Sequence, residues 1–301
     1  MSNTTRFATN EDIDDLRHIW KTVFADSDEL INAFLDIYFS SHSTIITQMD
    51  NITAAAGYII PVGELASRDI KIPCAMIYSM AVLPEFRGKG LGNAVVNELI
   101  SSGHAAGFPA VVLCPTSDDL FSYYSSRTPL TDFFYVGEKL YTKTFGEEDD
   151  SVLEQITSIE YLKLREKALS AVPHIAFDDN SLKYQSYILS QYGGGYYMVD
   201  TSGEISCILV ERQSEDTVWI KELYGENIKE QSIVNAVAKL YPASSYLIRT
   251  VAKKTGTEND LRRFGMLAFD SSTIAITESM DSLLFKLESS PIYPLYGLAF
   301  D

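Results

Sequence analysis

The sequence is short of basic residues. Its 301 residues contain 24 Lys and Arg against 41 Asp and Glu, so the formal net charge is -17. A surface of this sign repels phosphate backbones, which argues against nucleic acid as the principal partner. The acidic residues are spread over both halves of the chain, so neither half is a basic module.

Cysteine is scarce, and long apolar runs are missing. Cys74, Cys114 and Cys207 are far apart, with no CxxC pair and no histidine at a zinc-binding spacing. We therefore expect reduced, buried thiols in a cytoplasmic protein, with neither a metal site nor a disulfide framework. The uncharged stretch at 99–117 is broken by glycine and proline, so we expect no membrane helix. The N-terminus has no apolar core of the kind found in signal peptides.

Hydrophobic residues make up 46% of the chain, which is typical of a globular protein, and the length favours two domains. The spacing of apolar residues predicts a mixed α/β unit in the first half. Its predicted elements are helices at 13–23 and from 28, strands at 43–48 and 53–61 in a hairpin, a strand at 75–82, a helix from 91, a strand at 110–115, a short helix ending at 124 and a final hairpin at 133–144.

An acidic run at 147–150 has the composition of a solvated junction, and we place a domain boundary there, between 1–146 and 151–301. The second part repeats the order of elements in the first. Its predicted elements are helices at 159–172 and 181–191, a hairpin of strands at 196–200 and 205–212, a strand at 218–224, a helix at 229–240 and a strand at 246–252. Gly225-Glu226-Asn227 stands where the first part has a glycine-rich turn, so we interpret this part as a diverged repeat that has lost an anion loop.

That glycine-rich turn is Arg87-Gly88-Lys89-Gly90-Leu91-Gly92, between a buried strand and an amphipathic helix. Glycine lets the backbone approach a ligand, and the N–H groups at a helix start attract anions together with the helix dipole. Residues 70–97 contain three basic residues and one acidic residue, so a bound phosphate is electrostatically reasonable. The simpler alternative is a flexible turn with solvated basic side chains.

Three kinds of anion loop compete for this turn. A P-loop requires GxxxxGK[ST], which the sequence does not contain. A dinucleotide fingerprint requires G-x-G-x-x-G and an acidic residue about 20 positions later, where this chain has the apolar residues 111–113. The third pattern, R-x-x-G-x-G, fits residues 87–92 at every position.

With the preceding Val82-Leu83-Pro84-Glu85-Phe86, and with the order of elements over 5–145, this motif resembles the GNAT superfamily of N-acetyltransferases. The resemblance implies an α/β (α+β) fold with a GNAT-like mixed central sheet flanked by helices. A second, GNAT-like domain without the phosphate loop would follow it, as in a tandem GNAT protein. The implied co-substrate is acetyl-CoA, and no metal is required.

The resemblance also implies a set of binding residues. The backbone N–H groups of the turn would hold the pyrophosphate of acetyl-CoA, and the backbone of Met80 and Val82 would align its pantetheine arm. The implied contacts in and after the turn are Arg87, Gly88, Lys89, Gly90, Leu91, Gly92 and Asn93.

In the family, a tyrosine on the helix after the fifth strand protonates the leaving thiolate. Tyr124 stands at that place and is the implied catalytic acid. Gly-Phe usually follows that tyrosine in the family, whereas Ser125-Ser126 follows it here, so Tyr123 remains a competitor.

The sequence does not identify a catalytic base. Glu64, Asp118 and Asp119 are candidates, although solvated carboxylates at loops and helix starts are the first interpretation of all three. Cys114 is expected near the acetyl group, as an inert thiol rather than an acyl carrier.

The last twelve residues, 290–301, are apolar and aromatic, so we expect them to be packed. Tandem GNAT aminoglycoside acetyltransferases, which the chain resembles in its degenerate second unit, place their C-terminal carboxylate in the active site. They carry a further domain that 301 residues do not accommodate, so Asp301 as a base is the minor alternative to simple docking of the tail.

Two functions fit these observations. The first is acetyl transfer from acetyl-CoA to the amine of a small molecule or peptide, by direct attack in a ternary complex. The second is a non-catalytic module that binds acyl-CoA or recruits a partner. The sequence names neither the acceptor nor the oligomeric state.

Overall fold

The computed structural model describes residues 3–68, 70–144, 151–254, 261–270 and 290–300. Within these ranges the chain forms one mixed sheet of thirteen strands with seven α-helices packed on it, which confirms the predicted α/β class. The strands are β1 (Asn3–Phe7), β2 (Thr44–Met49), β3 (Ile52–Ser67), β4 (Ile70–Val82), β5 (Ala110–Leu113), β6 (Thr131–Tyr141), β7 (Val152–Gln155), β8 (His174–Phe177), β9 (Gly195–Thr201), β10 (Glu204–Arg212), β11 (Thr217–Gly225), β12 (Ser245–Val251) and β13 (Leu261–Phe269). The helices are α1 (Ile13–Phe24), α2 (Asp28–Tyr38), α3 (Leu91–Ala105), α4 (Asp118–Ser125), α5 (Ser158–Ala168), α6 (Asp179–Gln191) and α7 (Glu230–Leu240).

The sheet has the strand order β1-β2-β3-β4-β5-β13-β6-β12-β11-β10-β9-β7, and β8 pairs with β3. Only β4–β5 and β11–β12 are parallel pairs among the described strands, and each pair is joined by a crossover helix, α3 or α7. The run β9-β10-β11-α7-β12 therefore repeats the run β2-β3-β4-α3-β5, and the repeat expected from the sequence is present in the topology.

The two halves exchange their last strands. β6 follows β5 in the chain but pairs with β12, and β13 follows β12 but lies between β5 and β6. The predicted hairpin at 133–144 is therefore wrong: residues 131–141 form one strand, whose two partners both come from the second half. Alternation of apolar residues predicts a strand, but it contains no information about a partner more than a hundred residues away.

The exchange bears on the division into 1–146 and 151–301. The predicted boundary at 147–150 lies outside the described residues, so the division itself stays a prediction. β13 nevertheless pairs inside the sheet of the first half, with Met266 opposite Leu113. Division of the sequence at the predicted boundary would therefore not separate the sheet into two independent sheets.

Four strands, β1, β7, β8 and β13, are absent from the sequence prediction. β1 and β7 are edge strands with mostly exposed residues, so they lack the alternating burial that makes a strand visible in a sequence. β3 and β4 are longer than the predicted strands at 53–61 and 75–82 and form a hairpin that was not predicted, whose far end pairs with β8. None of the described helices is both long and apolar enough to cross a membrane.

Helix starts follow local capping rules. Thr9 and Asp12 form a capping box ahead of α1, the Ser27 hydroxyl accepts from the backbone N–H of Leu30 at the start of α2, and Thr157 and Glu160 form a capping box at the start of α5. α1 and α2 pack on one face of β3 and β4, and α3 packs on the other. The core on the α1 side continues into the second half, so the two halves share it.

The C-terminal tail (residues 290–300) is packed, as the sequence predicted. Leu295, Tyr296, Leu298, Ala299 and Phe300 are buried in the shared core. The backbone of Leu295 exchanges hydrogen bonds with Pro173 and Ile175 beside β8. The tail thus crosses the junction of the halves as an extended segment.

A buried ion pair anchors the tail. Arg165 of α5 and Glu222 of β11 are both fully buried, with Arg165 Nε 3.1 Å from Glu222 Oε2. The hydroxyls of Tyr161 and Tyr224 donate to the same carboxylate. Arg165 Nη2 also donates to the backbone carbonyl of Tyr296 at 3.4 Å.

Gly297 passes directly over this pair. Its φ is +90°, and a Cβ at this position would lie 1.9 Å from Glu222 Oε1. Arg249 Nη1 donates to the Gly297 carbonyl at 3.2 Å. Two buried arginines therefore bind consecutive carbonyls of the tail, at a place where only glycine leaves room.

We expect Arg165→Leu to lower the free energy of unfolding by about 3–5 kcal/mol, because Glu222 is left as a buried charge without its cation. The double variant Arg165→Leu/Glu222→Leu should lose less than Arg165→Leu alone. Urea unfolding followed by circular dichroism measures both.

The matched control is Arg17→Leu, also in a helix, whose pair with Asp14 is exposed (side-chain exposures of 44% and 96%). It should change stability by less than about 1 kcal/mol. An Arg165→Leu protein as stable as the control would contradict the anchoring role.

Candidate active site

The two parallel strands of the first half part beside a cavity. β4 and β5 pair from Cys74 and Ala110 to Ile77 and Leu113, where the pairing stops although β4 continues to Val82. A cavity of about 470 Å³ lies at this point. Its walls come from β4, β5 and α4, from α1 and the loop after it, and from β11, β13 and the tail.

A β-bulge lies in the part of β4 that lines the cavity. Tyr58 is opposite Tyr78 and Ala56 is opposite Ala81, so Ser79 and Met80 together face one residue of β3. Ser79 has φ +47°, in the left-handed region, and its buried hydroxyl has no hydrogen-bond partner in the described ranges. Strained backbone and unsatisfied buried polar groups concentrate at functional sites, so this bulge is a candidate functional element.

The glycines of the turn before α3 have two different roles. Gly88 and Gly90 have φ of +77° and +79°, and no atom lies within 4 Å of where a Cβ would stand. Gly92 instead allows close packing, because a Cβ there would lie 2.7 Å from the terminal methyl of Met80. The turn is therefore open on its outer side and tightly packed against β4 on its inner side.

The start of α3 suits an anion. Gly90 is the N-cap residue and provides no side-chain cap, so no capping side chain covers the N–H groups of the first turn. Arg87 and Lys89 are exposed; the Arg87 Nε donates to the Val82 carbonyl at 3.2 Å, and the Lys89 ammonium lies 4.8 Å from the centre of the Phe86 ring. Asn97 donates to the side chain of Asn93 at 3.0 Å, which fixes that amide near the helix start.

Of the two neighbouring tyrosines, Tyr124 lines the cavity and Tyr123 does not. The Tyr124 hydroxyl lies 3.8 Å from Met80 Sδ, next to the bulge. Burial raises the pKa of Tyr124 to about 12, so its hydroxyl keeps its proton at neutral pH. The ring of Tyr123 instead packs under the guanidinium of Arg127 at 4.5 Å.

The carboxylates considered from the sequence lie elsewhere. Glu64 pairs with Lys71 at 3.1 Å and Asp118 pairs with Arg263 at 2.6 Å. Asp119 is exposed in the first turn of α4. None of the three lines the cavity.

A different carboxylate does line the cavity. Asp26 lies in the loop between α1 and α2, and its Oδ2 accepts a hydrogen bond from Trp20 Nε1 at 2.8 Å. In the described part of the chain no cation pairs with it. The sequence analysis missed Asp26, because a single aspartate in a helix connection carries no signal that separates it from a solvated one.

Aromatic side chains surround much of the remaining wall. Trp20, Phe24, Tyr78, Trp219 and Phe300 all line the cavity. The Tyr78 hydroxyl donates to the Phe300 carbonyl at 3.4 Å, so the end of the tail forms part of the site. Asp301, the minor candidate for a base, lies outside the described residues.

The second half has filled the equivalent gap. β11 and β12 pair up to Ile220 and Ile248, and the next residues are Lys221, Glu222 and Arg249. All three are buried, where the first half has Tyr78, Ser79 and Cys114 beside its cavity. Charged side chains and the tail therefore occupy the position that is open in the first half.

The comparisons with known proteins agree with this geometry. Residues 4–127 match the family model described as the acetyltransferase (GNAT) domain. This part of the chain is a GNAT acetyltransferase domain. No curated protein matches the sequence of the chain.

Solved structures with the same fold extend over both halves. A probable N-acyltransferase from Enterococcus faecalis V583 superposes with a TM-score of 0.65 at 13% identity, over 89% of this chain and 72% of that one. A GCN5-related N-acetyltransferase from Anabaena variabilis ATCC 29413 gives 0.64 at 14%, over 88% and 72%. A tandem GNAT protein from the clavulanic acid biosynthesis pathway gives 0.52 at 8%, over 90% and 100%. The GNAT fold, with a second GNAT-like unit, therefore accounts for the whole architecture.

No group of three or more His, Cys, Asp or Glu in the described GNAT fold is placed to hold a metal ion. The three cysteines differ in access. Cys74 and Cys207 are buried, as expected, whereas Cys114 is half-buried and lines the cavity. Burial raises the pKa of Cys207 to about 12 and raises that of Cys74 as well, so neither forms a thiolate at neutral pH.

We expect a small thiol reagent, methyl methanethiosulfonate, to modify one cysteine of the folded protein, because only Cys114 adjoins the cavity. Mass spectrometry of the intact protein and of its peptides should find one adduct, on Cys114. Cys114→Ser should remove it, and denaturation should expose the other two. Modification of Cys74 or Cys207 at the same rate in the folded protein would contradict the burial of these two thiols and the separate access to Cys114.

Proposed function

We propose that the protein is an N-acetyltransferase, which moves the acetyl group of acetyl-CoA to the amine of an acceptor by direct attack in a ternary complex. The observation that carries the proposal is the cavity between the parted strands. It joins the β4 bulge and Tyr124 to an aromatic chamber that contains Asp26. This chamber is the part of the cavity lined by Trp20, Phe24, Tyr78, Trp219 and Phe300.

The donor side fits a coenzyme A diphosphate. The turn at 87–92 has open space above Gly88 and Gly90, an uncapped helix start and two exposed cations. Met80 packs against Gly92 of this turn and also lines the cavity, so a chain of atoms bound at the turn can continue along β4 to the bulge. Met80 and Val82 would align the pantetheine arm through their backbone groups.

The acceptor side fits an amine that arrives as an ammonium ion. Aromatic faces attract cations, and Trp20, Tyr78 and Phe300 provide such faces. Asp26 adds a negative charge that no cation neutralises in the described ranges. An ammonium ion is therefore stabilised in the chamber before it reacts.

The acceptor nitrogen must be neutral to attack, so one proton has to leave it first. Asp26 is the carboxylate of the cavity that can take this proton, directly or through water. Acetyl-CoA supplies an activated acetyl thioester: the C–N bond forms, the C–S bond breaks, and the second proton leaves the nitrogen as the sulfur gains one. Tyr124 donates its hydroxyl proton toward the leaving sulfur and can recover one from the nitrogen, which relays that proton.

A non-catalytic acyl-CoA-binding or partner-recruiting module is the second candidate. The turn at 87–92 fits it equally well. The chamber beyond the bulge contains Asp26, which pairs with no cation among the described residues, and a module that only binds the donor does not need it. Release of free CoA in the presence of an amine panel separates the two functions.

Gly90→Ala should raise the dissociation constant of acetyl-CoA about tenfold, because a side chain at positive φ distorts the turn that holds the diphosphate. Calorimetric titration with acetyl-CoA and with CoA measures it. The control is Gly107→Ala, at the other end of α3, with φ +91° and no atom within 4 Å of its Cβ position. Both variants carry a similar backbone strain, so an unchanged affinity in Gly90→Ala would remove the turn from the donor site.

Tyr124→Phe should lower kcat about a hundredfold and leave the affinity for acetyl-CoA unchanged, since the hydroxyl acts on the leaving sulfur. Tyr123→Phe is the control and should keep the wild-type kcat. The pH profile gives a second test: a group with a pKa of about 12 stays protonated at pH 10, so kcat of the wild type should show no fall up to that pH.

A tyrosine of ordinary pKa would be half ionised near pH 10, and kcat would fall there. A fully active Tyr124→Phe protein would rule out Tyr124 as the acid. Wild-type activity that falls with a midpoint near 10 would instead contradict the raised pKa of this hydroxyl. CoA release measured with a thiol reagent at several pH values decides both points.

A further inference from the structure

The second half contributes its own side chains to the acceptor chamber. Trp219 of β11 and Arg262 and Phe264 of β13 line the same cavity as Asp26 of the first half. β13 reaches this place because it is exchanged into the sheet beside β5. The chamber therefore has one wall with a carboxylate and another with a guanidinium and an indole.

Trp219 presents a hydrogen-bond donor without an acceptor. Two cations lie over its ring, the Lys221 ammonium at 4.8 Å and the Arg249 guanidinium at 4.5 Å from the ring centre. Its Nε1 is shielded from solvent and donates to no atom of the described ranges. A buried indole N–H normally finds a partner, and leaving it without one destabilises the fold. Because Trp219 lines the cavity, a ligand bound against this side chain would supply the missing acceptor.

Arg262 also has N–H groups without an acceptor among the described residues. Its Nη1 donates to Glu138 Oε1 at 2.6 Å, and its Nε and Nη2 donate to nothing in the part of the chain that the structure describes. Glu138 is shared, because Arg249 Nε lies 3.3 Å from the same oxygen. Glu138 therefore occupies one nitrogen of Arg262, which within the described residues keeps a free edge of the kind that binds a carboxylate with two hydrogen bonds.

We propose that the acceptor is an amino carboxylate, whose carboxylate binds to Arg262 and to the indole N–H of Trp219. This inference rests on the proposed function and narrows it. Asp26 repels a carboxylate and attracts an ammonium ion, so the two walls orient a zwitterion in one sense. The reacting amine then lies toward the first half, where the bulge and Tyr124 are.

The test uses β-alanine, γ-aminobutyrate and ε-aminocaproate, each beside its carboxamide, with acetyl-CoA as donor. The three chain lengths sample the distance between amine and carboxylate, and each amide keeps the amine while it removes the negative charge. For the best chain length, the wild type should show kcat/KM at least about tenfold higher for the acid than for the amide, as expected for a charge-assisted bidentate contact.

Arg262→Gln should abolish this preference by raising KM for the acid, with little change in kcat and none in the affinity for acetyl-CoA. Trp219→Phe keeps an aromatic ring at this position and removes the N–H, so it should lower the preference several-fold. The control is Arg263→Gln on the same strand: Arg263 pairs with Asp118 and Asp132, does not line the cavity, and should keep the wild-type preference.

Transfer to acids and amides with equal efficiency would overturn the amino carboxylate while leaving the acetyltransferase standing. Absence of transfer to every amine would count against the proposed function, and binding then decides the inference. In calorimetry with the same acids, binding to the wild type that is lost in Arg262→Gln supports the carboxylate site, and equal or absent binding in both proteins overturns it.

Discussion

The structure depends on the place where two parallel strands stop pairing. A parted pair leaves backbone groups without ladder partners and a gap that must be lined or filled. In the first half, the gap after Ile77 and Leu113 stays open, and the bulge at Ser79 turns into it. In the second half, the gap after Ile220 and Ile248 is filled by charged side chains and the tail. The same topology thus leaves a cavity in the first half, whereas side chains and the tail fill the equivalent gap in the second half.

Burial of the charged side chains of Lys221, Glu222 and Arg249 has a high desolvation cost, and this explains why each of them has an oppositely charged partner. Lys221, Glu222 and Arg249 are buried, and an unpaired charge at such a depth would destabilise the fold by several kcal/mol. Each is paired: Lys221 with Glu211 at 2.8 Å, Arg249 with Glu138 at 3.3 Å, and Glu222 with Arg165. The same groups bind the tail carbonyls and hold the Trp219 ring. The second half therefore forms part of the cavity wall and supports it.

The sequence predicted what is local. The strand, the turn at 87–92 and the helix after it are contiguous, so glycine, charge and apolar spacing were enough to locate them. The distinction between Gly90, which provides a positive φ, and Gly92, which makes room for Met80, needed coordinates. Asp26, Trp219 and Arg262 could not be found, because each reaches the cavity through pairing or packing with distant residues. The same holds for β6, whose alternation was visible and whose partners were not.

The overall charge of -17 would oppose the proposed donor, which carries several phosphates, so its site would have to act over a short range. At physiological ionic strength the screening length is about 8 Å, and charges on the far side of the molecule are hardly felt at the turn. Arg87, Lys89 and the start of α3 belong to the turn itself, so they would act directly on a diphosphate bound there. The proposed acceptor site would follow the same rule, because Asp26 and Arg262 come from different halves of the chain and each would act on the group beside it. Composition therefore describes the surface of this protein, while the charged side chains that line the described cavity, Asp26 and Arg262, govern which ligands it can bind.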